Sequence, residues 1–147
     1  MRAGRGFTLI ELAAVLFIIV LGFAVAGINF SSGLGASTIR AAARDMVSAL
    51  RYARGQALVR REQTTVTIDF AENTYQISTR SKIYKIPDGV EVTLVTAQTE
   101  TSGYGQAGIR FFPDGSSTGG RLTLERDRSV WRIDINWLTG QIELTGE

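Results

Sequence analysis

Glu11 is the residue whose chemistry most needs explaining. Its carboxylate lies about one helical turn into an apolar run, and no further charge occurs from Leu12 to Ile28. A charge in hydrocarbon is costly unless it is paired or reaches water, so such a residue points to function. Few other side chains could do chemistry. The chain has no His and no Cys, which removes the commonest general base, the usual zinc ligands and the Ser-His and Cys-His nucleophile pairs. Asp114, Ser116, Ser117 and Thr118 form the one oxygen cluster worth weighing. They supply too few ligands for calcium, and the glycines around them lack the Gly-Lys-Ser/Thr ending of a phosphate loop. A Pro113-Asp114-Gly115 turn leading into a hairpin loop accounts for them without catalysis. No catalytic, cofactor or metal site is expected, and the chain does not read as an enzyme.

The elements that must position Glu11 begin with the apolar run itself. Counted from Phe7 it covers about 22 residues, or roughly 33 Å of helix, enough to cross a bilayer core. Arg2 and Arg5 precede it. A secretory signal peptide is one reading, with Ala24-Val25-Ala26 as the cleavage site and Gly27 as the new N-terminus. The run is long for that role, and Glu11 interrupts it. A plain membrane anchor, its N-terminus held in the cytoplasm by the basic residues, explains the length but not the carboxylate.

Beyond Gly33 the pattern turns amphipathic. Ile39, Ala42, Ala43, Met46, Leu50, Ala53, Ala57 and Leu58 follow helical spacing, while Arg40, Arg44, Arg51, Arg54, Arg60 and Arg61 lie mostly off that stripe. The spacing predicts a stem helix to about Arg61 whose apolar stripe is covered by the rest of the chain. Six arginines against Asp45 give residues 34–61 a local charge of +5, while residues 62–147 carry −4. Those arginines suit acidic neighbours, lipid headgroups or nucleic acid, and equally a solvated helix face. The net charge of +2 includes Arg2 and Arg5, and without them basic and acidic side chains balance at 14 each.

From Gln63 the period falls to two. Val66, Ile68 and Phe70 alternate with Thr65, Thr67 and Asp69, and Tyr75 and Ile77 begin the partner strand. Ile83 to Ile86 ends at Pro87-Asp88-Gly89, a turn in which Pro presets one dihedral and Gly accepts a positive one. Val90 to Val95, Ile109 to Phe112, Arg121 to Glu125, Val130 to Ile135 and Gln141 to Leu144 read as further strands, and Gln98 to Gln106 as a loop. About eight short strands after a long helix predict an α+β protein, with antiparallel sheets packed on the amphipathic half of the helix.

Gly6-Phe7-Thr8-Leu9-Ile10-Glu11-Leu12, after a basic leader, resembles the cleavage and methylation signal of type IV pilins and type II secretion pseudopilins. "FFPDGSSTGG" (Phe111–Gly120) and "WLTG" (Trp137–Gly140), with stem residues Ala49 to Ala57, resemble the minor pseudopilin H (GspH) family. The resemblance implies a leader at 1–6, a transmembrane and assembly helix at 7–30, an amphipathic stem at 31–62 and a periplasmic β-sandwich head at 63–147. It implies cleavage by prepilin peptidase between Gly6 and Phe7, N-methylation of Phe7, and an assembly ion pair between Glu11 and the new Phe7 amine. It further implies single-pass insertion in the inner membrane, with the head periplasmic, and assembly near the tip of a pseudopilus that supports export of folded proteins. The implied partners are other minor pseudopilins, the major pseudopilin and, through export, the secreted substrate. The alternative is a FimT-like minor pilin that binds DNA for uptake, using Arg121, Arg126, Arg128 and Arg132 as a phosphate-binding cluster. Those arginines are interleaved with Glu125, Asp127 and Asp134, which argues against nucleic acid as a partner.

Overall fold

The computed structural model describes residues 8–96, 101–102 and 105–146, with side chains throughout except at 22–34 and 101–102. The chain forms two compact units, Met1–Gly35 and Ala36–Glu147. Helix α1 is assigned over Leu9–Arg60. In the first unit its described side chains, Thr8 to Leu21, are all exposed.

In the second unit α1 buries one stripe. Ile39, Ala43, Leu50, Ala53 and Ala57 are fully buried, with Met46 and Ala42 close to it. Val47 and Ala49 join them and widen the stripe beyond the expected set, whereas Leu58, expected inside, is 40% exposed. The helix ends at Arg60, and Arg61 takes a left-handed φ of 60° that turns the chain away.

Among the described residues nine strands follow, all paired antiparallel. They are β1 (Thr64–Asp69), β2 (Thr74–Ile77), β3 (Ile83–Lys85), β4 (Glu91–Val95), β5 (Thr101–Ser102), β6 (Gln106–Phe111), β7 (Gly120–Arg126), β8 (Ser129–Ile135) and β9 (Ile142–Gly146). One sheet has the order β3-β2-β1-β6-β5 and the other β4-β7-β8-β9. The architecture is α+β, as expected. The strand count exceeds eight because the two-residue β5 pairs with β6 inside the stretch expected as a loop. Residues 97–100 and 103–104 of that stretch lie outside the described residues.

The core joins the stem stripe to both sheets. Val66, Ile68, Ile77, Ile109 and Phe111 come from the first sheet, and Leu122, Leu124, Ile133, Ile135 and Ile142 from the second. Register matches burial: Val66 faces Ile77 on one side and Ile109 on the other, and Leu122 faces Ile133. A slip of one residue would turn these side chains to solvent.

Phe70 departs from the expected alternation, being 37% exposed. Its strand stops at Asp69, whose Oδ1 accepts the Ala71 and Glu72 amides at 3.0 and 2.9 Å while Oδ2 accepts Gln106 Nε2 at 2.6 Å. Those donors, the Glu72 amide foremost, hold the Asp69 carboxyl below its usual range. At Pro87 the turn forms with the Val90 amide donating to the Pro87 carbonyl, so Pro occupies its first position and Gly89, at φ 77°, its third. At Phe112 the Gly115 amide closes the turn on the Phe112 carbonyl, which puts Pro113 at the position where its fixed φ helps.

Candidate functional site

The N-terminal end of α1 carries the first candidate site. The Glu11 and Leu12 amides donate to the Thr8 carbonyl at 3.1 and 3.2 Å. Thr8 is thus the N-cap and Glu11 the third helical residue, the Thr-x-x-Glu spacing of a capping box. A carboxylate in this first turn also favours the positive end of the helix dipole. Gly6 and Phe7, the expected cleavage and methylation positions, lie outside the described residues.

Leu9, Ile10, Phe17 and Ile18 are 66–87% exposed, and the exposed positions Leu16 to Leu21 point in every direction around the axis. A helix that is apolar all round needs lipid or other helices about it. Among the described residues no helix is long and apolar enough to cross a membrane. Within the 7–30 span expected for the transmembrane helix, side chains are described for residues 8–21.

A second site forms where the two C-terminal blocks meet the stem. Arg54 donates from Nη2 to the Thr139 carbonyl at 2.9 Å and from Nε to the Gly115 carbonyl at 3.3 Å. One guanidinium therefore ties together loops 61 and 85 residues further along the chain. Ser117 stitches the same loops: its amide donates to the Trp137 carbonyl at 2.8 Å, and its hydroxyl to the Asn136 carbonyl at 3.0 Å. Asn136 Oδ1 accepts the Leu138 and Thr139 amides, and the turn presents Trp137 and Leu138 to solvent, 66% and 63% exposed. On sequence Arg54 reads as one more solvated arginine. Its place inside the family-like stretch Ala49–Ala57 was the only available sign of this role.

The oxygen cluster is consumed by this stitching. Asp114 Oδ1 accepts the Ser116 hydroxyl at 2.6 Å and the Ser116 amide at 3.0 Å, which hold its carboxyl below the usual range. Ser117 Oγ also accepts the Gly119 amide, and Thr118 Oγ1 accepts the Arg110 amide. Among the described residues no group of three or more His, Cys, Asp or Glu could hold a metal ion.

The four arginines of the DNA-binding alternative do not converge. Arg121 pairs with Asp134 at 2.6 Å across the β7–β8 ladder. Arg132 shares that outer face, but Arg126 alternates with it onto the face of Leu122 and Leu124, and its guanidinium lies beside Gly89. Arg128 sits in the β7–β8 turn.

Beside the stem, Tyr75 and Tyr84 stack with centroids 5.0 Å apart, and the Arg80 guanidinium lies 4.0 Å over the Tyr52 ring. Burial, with Asp45 and Tyr84 nearby, pushes the Tyr75 phenol up to about 12. A phenol whose folded pKa is raised contributes stability that is whole below its unfolded pKa, about 10, and lost as pH climbs towards 12. Tyr75 is therefore expected to account for on the order of 2 kcal/mol of alkaline destabilisation. Urea midpoints at pH 8, 10 and 11 should fall less steeply for Tyr75→Phe than for the parent chain, and parallel curves would exclude this contribution.

The fold recurs in solved structures. It matches the minor pseudopilin EpsH from the type 2 secretion system of Vibrio cholerae with a TM-score of 0.58, at 11% identity over 72% of this chain and 94% of that one. It also matches the type IV minor pilin FimU of Pseudomonas aeruginosa with a TM-score of 0.56, at 13% identity over 73% and 87%. The fold alone is thus one that minor pilins and minor pseudopilins share.

Sequence narrows the class. The family described as Type II transport protein GspH matches residues 42–140, which include Arg54 and both loop blocks. The type II secretion system protein H of Xanthomonas campestris pv. campestris is 30% identical over 141 residues, covering 96% of this chain and 83% of that protein. The chain belongs to the GspH family of type II secretion pseudopilins.

Proposed function

We propose that the chain is made as a precursor with leader 1–6, cleaved by prepilin peptidase after Gly6 and N-methylated on Phe7. Residues 7–30 form its transmembrane and assembly helix, 31–62 its stem and 63–147 its head. It spans the inner membrane once, N-terminus cytoplasmic and head periplasmic. It then joins a periplasmic pseudopilus near the tip, beside the major pseudopilin and other minor ones, and supports export of folded proteins across the outer membrane. Its role is structural rather than catalytic.

The observation that carries this reading is the conjunction of GspH membership with Glu11 in the first turn of a helix whose described apolar side chains from Leu9 to Leu21 are exposed all round. Such a segment is stable only within lipid or a bundle of like helices, and its carboxylate then needs a cation. Cleavage before Phe7 would create one. The mass of the mature N-terminal peptide tests the proposal. N-methyl-Phe7 is expected, whereas a mature chain starting at Gly27 would revive the signal-peptide reading and free the head from the membrane. The DNA-uptake alternative is weakened by the Arg121–Asp134 pair and by Arg126 facing away from its fellows.

A further inference from the structure

The stem positions Ser37, Arg40 and Arg44 are spaced i, i+3, i+7 and share one exposed face of α1. Opposite them, β8 begins with Ser129 and Trp131, which alternate onto the same sheet face as the buried Ile133 and Ile135. The apolar core thus gives way, along one strand, to an aromatic ring and then a hydroxyl. Between helix and strand lies an open groove of about 510 Å³. Trp131 is set in place from behind by Gly146, its cross-strand neighbour in β9, where a Cβ would run into the indole ring.

The charge of this groove is unbalanced. The Arg40 guanidinium lies 5.8 Å from the Trp131 ring centroid, and no Asp or Glu lines the space. Among the described residues neither Arg40 nor Arg44 enters an ion pair. Two guanidinium forks beside an indole and the Ser129 hydroxyl form a donor set for a tetrahedral oxyanion.

We propose that this groove binds the phosphate of an anionic phospholipid headgroup. Three observations favour a lipid over other phosphates. Ala36, at the groove's edge, is only eight positions beyond Ile28, the end of the apolar run, a reach under about 30 Å even fully extended. An indole part buried and part wet suits the headgroup layer. The volume suits one headgroup rather than the backbone of a nucleic-acid duplex. The inference rests on the membrane-anchored reading of residues 7–30.

The test uses the purified full chain in an uncharged detergent, carrying Trp137→Phe so that Trp131 alone reports. Dioctanoyl phosphatidylglycerol is expected to change Trp131 emission saturably, with dioctanoyl phosphatidylcholine and inorganic phosphate at least tenfold weaker. Arg40→Gln with Arg44→Gln should weaken the phosphatidylglycerol response at least tenfold. Arg51→Gln with Arg60→Gln, which removes equal charge outside the groove, should leave it within twofold. Near-ultraviolet circular dichroism establishes that each variant is folded. No saturable response, or an equal one in the Arg40/Arg44 variant, overturns the site. Inorganic phosphate binding as tightly as phosphatidylglycerol overturns the lipid assignment. A mature N-terminus at Gly27 would refute the anchor instead, and would leave the outcome of this titration unchanged.

Discussion

Alanine at position 140 is expected to destabilise the head by about 3–5 kcal/mol, a large part of what a small domain possesses. Gly140 sits at φ 62°, a conformation that costs an L-residue on the order of 1 kcal/mol. The added Cβ would land on the Gly115 carbonyl oxygen, 2.9 Å from Arg54 Nε and 3.1 Å from Arg54 Cδ. Neither neighbour can give way cheaply, because the carbonyl belongs to a closed turn and the guanidinium is held by two acceptors. The loops must part, and Arg54 must release the Gly115 and Thr139 carbonyls. Hydrogen bonds to a charged group contribute roughly 1.5–3 kcal/mol each, less where water can replace them. Arg54→Met removes those bonds without a steric clash and should cost about 2 kcal/mol. The two changes act on one junction, so the double variant should lose clearly less than their sum. Urea denaturation followed by circular dichroism measures all three. A loss under about 1 kcal/mol for Gly140→Ala, or strict additivity, would show that the junction does not hold these loops.

That junction also marks where sequence reasoning stops. Features set by neighbours along the chain were legible: the alternation of Val66 and Ile68, the stripe from Ile39 to Ala57, and the positive φ demanded of Gly89. Phe70 escaped because side-chain hydrogen bonds to Asp69 end the strand one residue before the apolar pattern does. Leu58 escaped because it stands beside the buried line through Ala53 and Ala57 rather than on it. Near Gly115 its side chain lies against a loop, where a Cβ on that glycine would meet Leu58 Cδ2 at 3.2 Å. Arg54 was least legible of all. A guanidinium on a helix face looks solvated until two backbone carbonyls, fixed by distant turns, are brought to it. The groove at Trp131 is hidden for the same reason, since α1 and β8 meet only in three dimensions. Glu11 is the opposite case: everything that makes it conspicuous lies in one continuous stretch, Gly6 to Ile28.

Replacing Glu11 with valine or glutamine should leave membrane insertion intact and abolish assembly. On the proposed reading the apolar run alone provides insertion, and valine makes it more apolar still. Assembly differs because cleavage would leave an ammonium on Phe7 in surroundings of low dielectric. Removing the partner of a buried charge costs roughly 3–5 kcal/mol, equivalent to a fall of two to four orders of magnitude in the docking equilibrium. A local role predicts something milder. If Glu11 only completes the capping box with Thr8 and favours its own helix dipole, its loss costs about 1 kcal/mol. Glutamine separates the two, because it can still complete a capping box but carries no charge. Cross-linking to neighbouring pseudopilins, measured together with secretion and membrane content, gives the answer. Glu11→Gln that inserts, cross-links and secretes like the parent would assign Glu11 to its own helix. Glu11→Gln that inserts but neither cross-links nor secretes would show that the carboxylate acts by its charge, as pairing with a Phe7 amine requires.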